Sequence, residues 1–145
     1  MNQTLDNIVS LAKQCQCGHH HYDISIEQIV VSHEAFNQLA AYLRYKQYKK
    51  VVVVADNRTF TAAGRSLCDK LKNESVLYTV CLIQSDENED VIADERAIMQ
   101  VLLETPNDVD AFIAVGAGTV HDITRFSSYK MKVPFISVPT APSVD

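Results

Sequence analysis

The sequence predicts an α/β fold: a mostly parallel sheet with helices on both faces. Three observations lead there. Strand-like and helix-like stretches alternate along the chain. Most of the strand-like stretches are continuous apolar runs, "VVVVA" at 51–55 above all, as strands buried on both faces require. And one such run, "AFIAVG", passes through Gly-Ala-Gly-Thr directly into an amphipathic stretch, a strand-to-helix turn.

The elements follow in order. "TLDNIVSLAKQC" puts Leu5, Ile8, Val9 and Ala12 on one helical face, and "CQCGHHHYD" breaks it. "EQIVVS" (27–32) is a strand candidate. "HEAFNQLAAYLRYKQYKK" (33–50) has Phe36, Leu39, Ala40 and Leu43 at helical spacing. The run 51–55 is a buried strand ending at Asp56. Asn57 is placed to cap the helix "RTFTAAGRSLCDKLK". "SVLYTVCLI" is a strand. The acidic loop "QSDENED" leads into the helix "VIADERAIMQVLLET", which Pro106 stops. "DAFIAVG" is a strand, "GTVHDITRFSSYK" a helix and "VPFISVPT" the last strand.

Composition sets the outer limits. The chain has 145 residues, 47% apolar and 21% charged, which suits one soluble domain with its own core. A net charge of -5 gives no basic field for nucleic acid or an anionic membrane. No apolar run reaches the ~20 residues of a membrane span, and the N-terminus lacks the basic-then-apolar order of a signal peptide. The four cysteines, at 15, 17, 68 and 81, are read as reduced thiols of a cytoplasmic protein.

The glycine turn is the first candidate site. The opening N–H groups of a helix lack internal acceptors, and the helix dipole is positive there. Glycine lets a phosphate approach such a backbone closely. Gly116 and Gly118 fit that need, and Thr119 adds a hydroxyl. A tight turn that binds nothing is the alternative. The full dinucleotide fingerprint would need glycine at position 121, where His121 stands. Asp56 ends another strand. Parallel strands deliver their C-terminal ends to one edge, so Asp56 and the glycine turn share it. A carboxylate there can hold ribose hydroxyls and would repel a 2′-phosphate, favouring NAD over NADP; a helix cap is its other reading. In the usual Rossmann unit the acid follows the glycines, whereas here it precedes them. "VPTAPSVD" reaches the same edge with Thr140 and Ser143 as hydroxyl donors; an ordinary exit loop is the alternative.

"VVVVADNRTF", "DERAIMQVLLE", "AVGAGTVHDITRF" and "PFISVPTAPSVD" together resemble the sn-glycerol-1-phosphate dehydrogenases of the bacterial AraM type. These belong with the iron-containing alcohol dehydrogenases, glycerol dehydrogenase and dehydroquinate synthase. The resemblance covers about Glu27 to Asp145. It implies a Rossmann-like nucleotide-binding N-terminal domain of the dehydroquinate synthase-like fold, here residues 1–145. A C-terminal helical, metal-binding domain would lie beyond position 145, with the active site between the two. It further implies reduction of dihydroxyacetone phosphate to sn-glycerol 1-phosphate by NADH or NADPH, with a divalent metal, Zn²⁺ or Ni²⁺. By motif position, Asp56 would hold the adenosine ribose. Gly118, Thr119 and Asp122, with Val120 and His121 between, would line the pyrophosphate and nicotinamide groove. Thr140 and Ser143 would add cofactor contacts, and Asp145 would reach the substrate hydroxyls. The family's metal ligands, one Asp and two His, fall outside this chain, so 1–145 alone is expected to be inactive. A homodimer is the family expectation for the full-length enzyme. A glycerol dehydrogenase, a dehydroquinate synthase relative and a stand-alone nucleotide-binding module are the alternatives.

Other groups are read structurally. "CQCGHHH" has soft-metal ligands at a spacing that matches no common zinc pattern and is taken as a loop or subunit contact. His121 could transfer protons, yet local hydrogen bonding is the expectation. Cys68 and Cys81 are assigned to the core. Tyr42, Tyr45 and Tyr48 are assigned to a packing stripe.

Overall fold

A computed structural model describes residues 10, 11, 13–19, 26–86 and 90–142. The chain divides into two compact units, Met1–Ala35 and Phe36–Asp145.

In the first unit the predicted helix over 4–15 lies mostly outside the described residues. Of its described part, residues 10, 11 and 13 are helical, and Gln14 N–H donates to the Ser10 carbonyl at 3.2 Å. The strand expected over 27–32 does not form: these residues are irregular, and Val31 is 96% exposed. An apolar run becomes a strand only where a sheet buries it, and these side chains are on the surface. At the end of the unit Ser32 Oγ accepts from Glu34 N–H at 3.0 Å.

The second unit is a four-stranded, wholly parallel sheet of order β2-β1-β3-β4. Its strands are β1 (Lys50–Ala55), β2 (Leu77–Leu82), β3 (Ala111–Gly116) and β4 (Phe135–Pro139). Helix α1 (Ala35–Tyr45) buries Ala40 and Leu43 and packs Phe36 and Leu39 on the core, as their spacing required. It stops short of the predicted 33–50 because Gln47 turns left-handed at φ 60°. Tyr48 packs on the core and meets Tyr42 edge-on, while Tyr45 is exposed, so the expected tyrosine stripe has two members rather than three.

The two central strands hold the domain together. Every residue of Val51–Ala55 and Ala111–Gly116 is buried. Side chains alternate between the faces. Val51, Val53 and Ala55 therefore pack with Leu43, Leu67 and Leu71 on one side. Val52 and Val54 pack with Val101, Phe112 and Ile123 on the other. Each fully buried valine contributes about 1.5–3 kcal/mol over leaving it in water. Asp110 sets the lower edge: its carboxylate Oδ2 accepts from Lys49 N–H at 2.7 Å and Lys50 N–H at 2.8 Å, pinning the start of β1 to that of β3.

The helices begin where their caps dictate. Asp56, not Asn57, caps the helix after β1. Its Oδ1 accepts from Thr59 N–H at 2.7 Å while Thr59 Oγ1 accepts from Asp56 N–H at 3.1 Å, a reciprocal capping box. That helix is α2 (Asn57–Thr59), a π-helical segment (Phe60–Gly64) and α3 (Arg65–Asn73) in succession. Helix α4 (Glu95–Glu104) starts later than the sequence pattern implied, because Asp94 caps it by accepting from Ala97 N–H at 3.0 Å. It ends at Thr105, which turns extended before Pro106. Helix α5 (Gly118–Met131) follows β3 through the glycine turn and closes on Lys132 at φ 57°. No helix among the described residues is long and apolar enough to cross a membrane.

Candidate functional site

The upper edge of the sheet gathers the predicted site residues that lie within the described chain. Ala55 pairs with both Leu82 and Val115, so Asp56 follows β1 level with the ends of β2 and β3. Gly116 pairs with Pro139, and its carbonyl accepts from Thr140 N–H at 2.9 Å, which brings Thr140 to the same edge. Asp56, Gly116, Gly118, Thr119 and Thr140 are thus brought together by register alone. Ser143 and Asp145 lie outside the described residues.

The glycine turn separates into two roles. Gly116 is buried, and a Cβ built on it would stand 2.7 Å from the Val120 Cβ. The room that its missing side chain leaves is filled by Val120. Its conformation explains nothing further, since its φ lies outside the left-handed region. Gly118 and Thr119 are half-buried at the start of α5. Ala117, in the N-cap position, has no side chain able to cap. The N–H groups of Gly118, Thr119 and Val120 therefore open the helix without the side-chain acceptor that Asp56 and Asp94 give the helices they precede.

The remaining predicted residues of this stretch turn elsewhere. The Val120 side chain is in the core, which leaves its backbone N–H as the part at the turn. His121 is also buried. Its backbone N–H and its ring Nδ1 both meet the Ala117 carbonyl, at 3.1 and 2.9 Å, the local bonding expected of it. Its ring packs edge-on against Phe135, and its Nε2 has no hydrogen-bond partner among the described residues. Asp122 is exposed and ion-paired with Arg125 one turn on, so in this arrangement its carboxylate is engaged by the helix's own cation.

Asp56 lines a cleft of about 160 Å³ with Asn57, Arg58 and Ser85. One carboxylate oxygen, Oδ1, is committed to the cap; Oδ2 has no hydrogen-bond partner among the described residues. Both sequence readings of Asp56, cap and ligand acceptor, are therefore compatible. Asn57, Arg58 and Ser85 were missed by the sequence reasoning. Asn57 and Arg58 adjoin the acid in "DNRT", but Ser85 joins the cleft only because β2 pairs with β1.

Elsewhere, Cys15, Cys17 and His19 are exposed in the first unit, while His20 and His21 lie outside the described residues. The His19 backbone amide and the Cys15 thiol hold the Cys17 thiol below its ordinary value. Burial pushes Cys68 up to about 11, and burial with Glu104 nearby pushes Cys81 up to about 12. Among the described residues no three His, Cys, Asp or Glu side chains gather around a point that could hold a metal ion.

A parallel sheet flanked by helices, with its turns and its cleft at the carboxyl ends of the strands, defines a doubly wound α/β protein of the nucleotide-binding type of architecture. The chain belongs to the iron-containing alcohol dehydrogenase family, whose model matches residues 30–145. It is 99% identical over all 145 residues to a glycerol-1-phosphate dehydrogenase [NAD(P)+] of Geobacillus thermodenitrificans, and 72% identical to one of Geobacillus stearothermophilus. With one of Bacillus subtilis it shares 42% identity over 122 residues, 84% of the chain and 31% of that relative. The chain spans 36% of the length of each of the two Geobacillus relatives. Its fold is that of glycerol dehydrogenase from Schizosaccharomyces pombe (TM-score 0.63, 23% identity, 74% of this chain and 26% of that one). Alcohol dehydrogenase from Oenococcus oeni is also similar (TM-score 0.62, 21% identity, 74% and 33%).

Proposed function

We propose that the chain is the nucleotide-binding part of an NAD(P)-dependent glycerol-1-phosphate dehydrogenase, interconverting dihydroxyacetone phosphate and sn-glycerol 1-phosphate. The observation that carries this reading is the adjacency of two features at neighbouring strand ends. One is the α5 start, whose first N–H groups lack a side-chain cap; the other is the Asp56 carboxylate, which caps the next helix through Oδ1 and not through Oδ2. The names of the similar relatives support the substrate assignment.

The residues present fit a dinucleotide. The Gly118, Thr119 and Val120 amides take the pyrophosphate, aided by the positive end of a 14-residue helix. Asp56 Oδ2 accepts from the ribose hydroxyls. Thr140, and Ser143 beyond the described residues, add hydroxyls along the groove, and Asp145 reaches the substrate. His121 bonds to the Ala117 carbonyl and so fixes the turn from beneath. The bound nicotinamide supplies or accepts the hydride. A divalent metal, held by the remainder of the full-length protein, would act on the substrate carbonyl. The full-length enzyme is a cytoplasmic homodimer in this reading, with no role for nucleic acid or membrane.

Oxidation of NADH or NADPH by the full-length protein, assayed with dihydroxyacetone phosphate, dihydroxyacetone and a dehydroquinate synthase substrate, tests the assignment. Turnover confined to the phosphorylated ketone is the expected result. Preference for the unphosphorylated ketone, or cyclisation of the sugar acid, would replace this reading with one of the family's other activities. Residues 1–145 alone should not turn over; metal-dependent NADH oxidation by them at an enzyme-like rate would contradict the division of labour.

A further inference from the structure

The two exposed thiols of the first unit have no part in the cofactor chemistry proposed above. Cys15 and Cys17 stand in "CQCGHHH" with one residue between them, and both are exposed. On a helix, residues spaced i and i+2 point apart. Here the helical backbone has ended before Cys15, and Gly18 turns left-handed at φ 79°. A chain spans at most about 3.3–3.6 Å per residue, so Cα atoms spaced i and i+2 lie within ~7 Å. Backbone short of full extension puts them in the ~4.4–6.8 Å that a disulfide needs. The sulfurs also meet: His19 N–H and Cys15 S–H both donate to Cys17 Sγ. These contacts favour the Cys17 thiolate, the nucleophilic form, and hold that thiol below its ordinary value. Cys68 and Cys81 are the contrast, buried and pushed up to about 11 and 12. Among the described residues no third His, Cys, Asp or Glu joins the two thiols as a metal site would need.

We propose that Cys15 and Cys17 form a reversible dithiol–disulfide pair that takes a hydroperoxide as its oxidant, Cys17 attacking and Cys15 resolving. The Cys17 thiolate attacks one peroxide oxygen and the O–O bond breaks. The other oxygen leaves with the Cys17 proton as water or an alcohol, and Cys17 becomes a sulfenic acid. The Cys15 sulfur then attacks the Cys17 sulfur. The S–S bond forms, the S–O bond breaks, and the hydroxide departs with the Cys15 proton as water. The two thiols lose two electrons and two protons, and the peroxide is reduced. A thiol two residues away acts at an effective concentration on the order of mM, so closure outruns capture by micromolar external thiol. Millimolar monothiol restores the pair by exchange.

Peroxide treatment of the reduced full-length protein, followed by alkylation, digestion and mass spectrometry, tests this. The peptide carrying both residues should escape alkylation, lose two hydrogen atoms, and regain two alkylable thiols after monothiol treatment. Cys15→Ser should lose the disulfide and leave Cys17 as a sulfenic acid that a dimedone probe captures. Cys17→Ser should lose the disulfide and leave Cys15 mostly alkylable over the same interval. Both thiols still alkylable after peroxide, or a bond from either one to another cysteine, overturns the pair. Equal oxidation of the remaining thiol in the two variants overturns the assigned roles. Zinc retained by the purified protein, shielding both thiols until chelated, would replace the redox pair with a metal site.

Discussion

Gly116 and Val120 are packed so closely that no side chain fits between them: a Cβ on Gly116 would lie 2.7 Å from the Cβ of Val120. The end of β3 is pressed against the first turn of α5, and this contact sets where the Gly118–Val120 amides emerge. Gly116→Ala should cost about 1–3 kcal/mol by overpacking, read as a lower denaturation midpoint. Val120→Ala in the same molecule should recover part of that loss, since it removes the opposing methyl groups. Additive losses in the double variant would show that the two residues do not share the constraint.

Asp56 performs two tasks that substitution can separate. Asp56→Ala removes the cap on α2 and should cost about 0.5–2 kcal/mol. Asp56→Asn keeps an oxygen for Thr59 N–H and so retains most of the stability, while losing the negative charge offered to the ribose. Thermal unfolding and NADH titration of both variants give the comparison. Weakened binding in Asp56→Asn at near-native stability is expected; full binding in that variant would remove Asp56 from the cofactor site.

The cysteines fall into two reactivity classes. Cys15 and Cys17 should react with a thiol reagent at neutral pH, and Cys17 fastest because its thiol is acidified. Cys68 and Cys81 should react only on unfolding. Their raised values carry a stability consequence with a definite sign. Above the ordinary thiol value of 9.0 the unfolded chain releases these protons while the folded chain keeps them, up to about 11 and 12. The stabilisation is therefore complete below pH 9 and falls with rising pH, by roughly 1 kcal/mol per pH unit for each thiol. Denaturant melts between pH 8 and about 11 measure this slope, and Cys81→Ala should flatten it.

Asp110 offers a structural control far from the upper edge. Asp110→Ala leaves the Lys49 and Lys50 N–H groups without their carboxylate. A loss of about 2–3 kcal/mol is expected, in line with hydrogen bonds to a charged group. NADH affinity of the folded protein should stay unchanged, and a specific loss of affinity would argue that the two ends of the sheet are coupled.

The buried strands were legible because burial on both faces leaves a signature in composition: Val51–Val54 and Ala111–Val115 could be little else. The shared edge of Asp56 and the glycine turn followed from parallel topology. Three features were not legible. The run 27–32 has strand composition but no burial, which only the fold decides. The start of α4 was displaced because Asp94, not the first apolar residue, caps it. The π segment at Phe60–Gly64 has no periodic signature; there the Phe60 ring lies where a Cβ on Gly64 would be, 2.6 Å away. At the site, sequence could not show that Val120 fills the space beside Gly116. Ser85 was invisible because β-sheet pairing, not sequence proximity, brings it to Asp56.

Backbone amide spectra of ¹⁵N-labelled protein during titration with NADH test the central claim most directly, because they observe the helix start itself. Binding should shift the Gly118, Thr119 and Val120 resonances most, with Asp56 and Thr59 moving alongside and the Lys49–Asp110 end of the sheet still. Shifts confined to other regions, with the first turn of α5 unmoved at saturating cofactor, would contradict it.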